Sequence, residues 1–224
     1  HFCFFVTQNY YIFIITESLL GTDFLIKNAK EIQVVIDNNA PEIEKLDQEI
    51  GDGDHIFNVQ RGIKLVIELE PIIKHLSMSK ALNQIAMKIL SGIGGSSGAL
   101  FGTLFMTMAK VSNIDDGIDY KKAINMFVDG VEAVKQRGKA DVGEKTMMDV
   151  LIPVANCLKE GVEKDIDLKD LMRKTIETAE KGMLSTKNLL ATKGRASFLG
   201  ERSKGHIDPG ARSCLLYTSD AADD

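Results

Sequence analysis

The chain has 224 residues, 44% of them hydrophobic, enough to bury the core of one large domain or two small ones. Its 27 Lys and Arg are outnumbered by 32 Asp and Glu, for a net charge of −5, which argues against a surface organised around nucleic acid or an acidic membrane. Small phosphate ligands stay open, because a small site needs local donors or metal ions and not global positive charge.

At the N-terminus, six of the fourteen Phe and Tyr residues fall within the first thirteen positions, and the first Met is Met78. The apolar clusters Phe2–Val6 and Tyr10–Ile15 are split by Thr7-Gln8-Asn9, so no run reaches the roughly 18–20 residues of a membrane span. No Lys or Arg precedes Lys27, a poor fit to a signal peptide. Residues 1–21 are therefore expected to be an extension outside the fold: translated upstream sequence or a linker remnant, with a hydrophobic extension as the alternative.

From Thr22 onward the apolar spacing is helical. Phe24, Leu25, Ile32, Val35 and Ile36 recur at three- and four-residue intervals. Comparable patterns predict helices over about 56–69, 80–91, 97–111, 120–134, 146–161 and 168–183, the last behind Asp167 as N-cap. No alternating strand pattern or Asn-Gly hairpin interrupts them, so the domain reads as all-α. Residues 212–224, beginning near CLLYTSDAADD, lack periodicity and are expected to be a non-native tail. Of Cys3, Cys157 and Cys214, only Cys157 is expected inside the fold, as a reduced core thiol. Nothing demands an oxidising compartment, and a cytoplasmic protein is expected.

Four polar, Gly-rich joints separate the helices: Asp47–His55, Ser91–Gly98, Gly138–Thr146 and Lys193–Ser213. Antiparallel helices would gather several of them at one end. The first joint places Asp47, Asp52 and Asp54 within eight residues, with Gly51 and Gly53 permitting a tight turn. Carboxylates this close repel unless a cation compensates, and hard oxygen ligands suit Mg²⁺ or Ca²⁺. The twelve-residue calcium loop is excluded, because its terminal Glu is missing. Taken alone, the joint reads equally as a solvated acidic turn.

The second joint, SGIGGSSG, leads into an apolar run and would leave backbone N–H groups accessible at a helix start, which favours phosphate. It lacks the Lys of a P-loop, and a Gly/Ser run alone more often marks a tight turn. Paired with the acidic joint, it forms the complementary half of a nucleotide-phosphate site. The third joint adds Gly138, Gly143 and Met147. The fourth adds Arg195, Arg202 and the His206-Ile207-Asp208-Pro209-Gly210 turn, although either arginine also reads as a surface ion pair and His55 or His206 as a hydrogen-bonding loop residue.

Together LDQEIGDGDH (46–55), GGSSGALFGT (94–103), GKADVGEKTMMDV (138–150) and KGRASFLGERSKGHIDPGA (193–211) resemble the nucleotide-binding L subunit, or the equivalent C-terminal domain, of dihydroxyacetone kinases. The resemblance spans about residues 22–211. It implies a barrel of eight antiparallel helices with ADP or ATP bound by loops at one end. Asp47, Asp52 and Asp54 would hold two Mg²⁺ ions. His55, Ile56, Phe57 and Asn58, with Ser96 and Ser97, would line the phosphates; Gly138, Met147, Arg195, Asp208, Pro209 and Gly210 would surround the rest of the nucleotide. No catalytic residue of this chain would form a covalent intermediate. Two positions depart from the family pattern: Ile56 stands where Gly is usual, and Ala99 where Pro is usual.

The implied partners are a K subunit that binds dihydroxyacetone and a phosphohistidine-carrying M subunit of the phosphotransferase system, which would rephosphorylate ADP in place. Two other readings remain: a C-terminal fragment of a single-chain, ATP-dependent triose kinase, and a catalytically silent nucleotide-binding regulator, since L subunits also contact transcription regulators.

Overall fold

Helical periodicity becomes helix almost throughout residues 21–112 and 118–219, the part of the chain that the computed structural model describes. Helix α1 (Thr22–Ile50) runs well past the expected Ile36, with Pro41 inside it. It buries Leu25, Ala29, Ile32, Ile36, Ile43, Asp47 and Ile50 along one stripe. Then follow α2 (His55–Ile67), the single turn α3 (Glu70–Ile73), α4 (Met78–Gly92), α5 (Gly95–Val111), α6 (Tyr120–Gly138), α7 (Met148–Glu163), α8 (Leu168–Ser185) and α9 (Pro209–Ser219). No strand occurs among the described residues. The fold is all-α.

Local signals set several helix starts. Asp119 accepts the Lys122 N–H at 2.7 Å, and Asp167 accepts the Lys169 N–H at 3.0 Å, so each caps the helix behind it. Packing then follows chain order: α1 against α2, α2 against α4, and each later helix against its successor, until α9 returns to α1. The enclosed core is one continuous apolar cluster whose fully buried side chains include Phe101, Phe105, Phe127, Ile36, Ile43, Ile63 and Leu82. Short connections between successive packed helices make neighbours antiparallel, so alternate helix ends meet at the same end of the bundle.

The expected end of the domain at residue 211 does not coincide with a structural boundary. Helix α9 crosses it and packs on α1, α7 and α8, burying Cys214, Leu215, Leu216 and Tyr217. A helix buried on several sides has no polar face to contrast with its apolar one, which is why these residues show no helical period. Cys214 thus joins Cys157 inside the fold as a buried thiol. The stretch 193–213 is likewise built and not structureless: 3₁₀ turns cover Arg195–Ser203, kinked at Gly200, before α9 begins. The expectations for residues 1–20 and 220–224 lie outside the described residues.

Where α8 crosses the start of α7, Gly182 admits the neighbouring backbone: an added Cβ would lie 2.3 Å from the Asp149 carbonyl oxygen. Gly182→Ala should therefore lower stability by about 1–3 kcal/mol, because backbone must shift. Urea unfolding checks this, and an unchanged midpoint would mean the two helices part without cost.

Candidate functional site

The last turn of α1 carries Asp47, which is only 4% exposed. Behind Ile50 the chain turns through Gly51–Asp54, with Gly53 at φ 77, a left-handed conformation that costs glycine little. The turn is tight enough that the His55 N–H, first in α2, donates back to Asp47 Oδ2 at 3.0 Å. Asp47, Asp52 and Asp54 can each present a carboxylate oxygen so that all three lie within 4.8 Å of one another. Burial chiefly holds the Asp47 carboxyl above its ordinary range, and the neighbouring charges of Asp52 and Asp54 push the same way against the His55 N–H. An all-oxygen donor set at this spacing, short of positive charge, fits a hard divalent cation.

Two other groups complete the wall. Asp54 Oδ2 accepts the Asn58 side-chain amide at 2.9 Å, and Asp52 Oδ2 pairs with Arg195 Nε at 2.8 Å. His55 turns its Nε2 to Ser213 Oγ at 2.9 Å. Because the Ser213 hydroxyl donates to the Pro209 carbonyl, His55 is the donor in that contact, and burial keeps the ring neutral by pushing its pKa down. His55 thus pins α2 to α9.

Helix α5 starts at Gly95, so Ser96 and Ser97 occupy its first turn, where backbone N–H groups have no intrahelical acceptor. Gly98 permits this start to sit against the preceding strand of backbone: a Cβ there would lie 2.1 Å from the Ile93 carbonyl oxygen. The joint between α6 and α7 is folded around Asp149, a buried carboxylate accepting the N–H groups of Gly143 at 2.6 Å and Thr146 at 2.8 Å. The fourth joint is anchored to α1 through His206 Nδ1 and Glu49 Oε2, 2.7 Å apart, and through a two-bond contact from Arg212 to Glu42, both at 2.9 Å.

All four joints open onto one cleft of about 580 Å³. Asp47, Asp52, Asp54, His55, Asn58, Ser96, Ser97, Gly138, Met147, Arg195, Asp208, Pro209 and Gly210 line it. Ile56 and Phe57, expected with His55 and Asn58 to line the phosphates, are not among the lining residues. Helical geometry directs residues 55 and 58 to the cleft, turns Ile56 into the core at 3% exposure, and leaves Phe57 62% exposed. The β-branched side chain of Ile56 therefore does not crowd the cleft. Arg202 is exposed and outside the lining. Across the cleft, Leu100, Val134 and Met147 give an apolar section beside Arg137.

Two lining or supporting residues, Lys145 and Thr186, carried no sequence signal of their own, and Asp208 of the expected turn lies beside them. Lys145 is 1% exposed, and its ammonium donates to the backbone carbonyls of Thr186 and His206. Burial pushes its pKa down, opposed by Asp208 and Asp149. The Asp208 carboxyl accepts the Ala211 N–H at 2.8 Å, and burial pushes its pKa up to about 7. Thr186, fully buried, accepts the Asp208 N–H at 3.0 Å.

Residues 49–223 match the family described as the DAK2 domain. The chain belongs to the DAK2 domain family. Among curated members, the ADP-binding subunit DhaL of the PEP-dependent dihydroxyacetone kinase of Escherichia coli K12 is 41% identical over 171 residues, which cover 76% of this chain and 81% of the relative. The ADP-binding subunit DhaL of the PTS-dependent enzyme of Lactococcus lactis is 36% identical over 195 residues, covering 87% and 93%. The human triokinase/FMN cyclase is 30% identical over 171 residues, but the match spans only 29% of that protein. In three dimensions, the dihydroxyacetone kinase of C. freundii, solved with AMP-PNP and Mg²⁺, aligns with a TM-score of 0.67 at 18% identity, over 89% of this chain and 33% of that one. This last likeness shows a shared all-α fold.

Within this DAK2 domain, the buried Asp149 carboxylate satisfies two backbone N–H groups at once. Asp149→Ala should cost on the order of 2–4 kcal/mol, since both donors lose a charged acceptor. Chemical denaturation checks the size of the loss, and a change below about 0.5 kcal/mol, the range of ordinary surface substitutions, would mean water replaces the carboxylate freely.

Proposed function

We propose that this chain is the nucleotide-binding subunit of a dihydroxyacetone kinase, a cytoplasmic phosphotransferase that works with a dihydroxyacetone-binding K subunit. One observation carries the reading: the oxygen-only cluster of Asp47, Asp52 and Asp54 faces the same cleft as the first turn of α5. Carboxylates on one side and unpaired N–H groups on the other are the two halves of a metal-nucleotide phosphate site. Two Mg²⁺ ions held by Asp47, Asp52 and Asp54 would supply charge neutralisation of the nucleotide phosphates.

The chain's own groups orient the nucleotide. Ser96 and Ser97 offer backbone and hydroxyl donors to phosphate oxygens, and Asn58 and the first-turn N–H groups of α2 add others. Arg195, which lines the cleft beside Asp52, brings a guanidinium to the phosphate side. Leu100, Val134 and Met147 give the base an apolar surface, with Gly138 and the Asp208-Pro209-Gly210 turn closing around it. None of these side chains needs to act as a covalent nucleophile; positioning and electrostatic stabilisation account for the catalysis.

Relatives favour ADP as a resident cofactor rephosphorylated by a phosphohistidine M subunit. The separate ADP-binding subunits are matched at 31–41% identity over 81–94% of their length. The single-chain kinases are matched at 29–31% over about a third of theirs. A silent regulator that contacts a transcription regulator draws less support, because the Ile56 side chain lies in the core. Among the described residues no helix is long and apolar enough to cross a membrane.

Calorimetric titration with ADP should show binding that depends on Mg²⁺. With a K subunit and a phosphohistidine donor, the protein should form dihydroxyacetone phosphate; bound nucleotide without turnover in the presence of competent partners would sink the kinase reading. Asp52→Asn should weaken ADP binding in Mg²⁺ by about 10–100-fold, as loss of metal-site partners does elsewhere. Unchanged affinity would remove Asp52 from the metal site.

A further inference from the structure

The segment between α8 and α9, residues 186–208, carries Arg195 and leads into the Asp208-Pro209-Gly210 turn, yet little apolar surface holds it: Ala191 and Ala196 form a small cluster with Ile50. What fixes it is polar: Arg195 pairs with Asp52 and His206 with Glu49, and two adjacent residues of the α6–α7 joint bind the rest. Glu144 accepts the Thr192 hydroxyl at 3.1 Å, its carbonyl accepts the Thr192 N–H at 3.3 Å, and Lys193 lies 3.7 Å from its carboxylate. Lys145 points the other way, into the protein, and its one ammonium binds the carbonyls of Thr186 and His206, the two ends of the segment.

The backbone is arranged for this division. Asp149 grips the N–H groups of Gly143 and Thr146, the residues on either side of the pair. Lys145 itself sits at φ 59, a left-handed conformation that a long side chain adopts only when its surroundings compensate. A buried ammonium is costly where packing alone is needed, since an apolar side chain of similar volume fills space without desolvation. What the ammonium adds is direction: several donors that meet two carbonyls twenty residues apart in sequence.

We propose that Glu144 and Lys145 form a positioning clamp that holds residues 186–206 over the cleft and thereby sets Arg195 and the Asp208–Gly210 turn against the bound nucleotide. The last step rests on the nucleotide reading above; the clamp itself does not.

Hydrogen exchange of the full chain without nucleotide tests the clamp directly, and ADP affinity in Mg²⁺ tests its consequence. Lys145→Met should speed exchange across 187–207 on the order of tenfold or more while leaving α4 and α5 unchanged, and raise the ADP dissociation constant by a similar factor. Exchange that is unaltered, or that rises evenly along the chain, overturns the proposal, because a merely stabilising lysine would act globally. Local loosening with undiminished ADP affinity overturns it too. If wild type binds no ADP, the nucleotide reading has failed, and the exchange arm alone decides the clamp. Should Lys145→Met not fold, the double variant Glu144→Gln/Thr192→Val, confined to the solvent side, is judged by the same readouts: faster local exchange supports the clamp and unchanged exchange refutes it.

Discussion

Asp47 sits at the end of a 29-residue helix, buried, with its carboxylate already receiving the first N–H of the next helix and two further carboxylates close by. That arrangement constrains much of the rest. A carboxylate so placed is costly without cationic company, and no compensation comes from the apolar core behind it. It must come from the cleft side, from Arg195 or from a bound divalent ion. The long α1 matters here, because the acidic turn is fixed by a helix packed along its length against α2 and α9 and not by a free loop.

From that turn the ring of helices determines what else can reach the site. Each helix packs on its successor and the last on the first, so ends alternate, and every second connection arrives beside Asp47. The joints that arrive are fixed by polar contacts to backbone: Asp149 to two N–H groups, Lys145 to two carbonyls, Thr186 to the Asp208 N–H. Backbone bonding of this sort holds loop geometry without drawing on cleft-lining side chains such as Ser96 and Ser97.

The helices were legible because apolar residues at three- and four-residue spacing report a one-sided burial. Reading failed where burial was not one-sided. Past Ile36, Asp37-Asn38-Asn39 and Pro41 obscure the period of α1, and in α9 the run Cys214–Tyr217 is buried against three helices at once. The acidic cluster was legible because carboxylates within eight residues must repel wherever the backbone goes. Ile56 and Phe57 were drawn into the site as neighbours in a matching run, whereas only residues 55 and 58 share the cleft side of α2. Lys145 was hidden for a different reason. Its partners are the carbonyls of residues 186 and 206, and a carbonyl has no side-chain signature to read.

Acidic and basic groups from different joints meet at one wall of the cleft. Asp47, Asp52 and Asp54 come from the end of α1 and the turn behind it, and Lys193 and Arg195 from the segment that contacts the α6–α7 joint. In the structure Arg195 spends its guanidinium on Asp52. A divalent cation bound at Asp52 would compete with Arg195 for the same negative charge, and the guanidinium so released would face any anion in the cleft. On the nucleotide reading, neutralising the carboxylates and releasing Arg195 would be a single exchange of partners, one in which the chain's overall acidity would not hinder a polyanionic ligand.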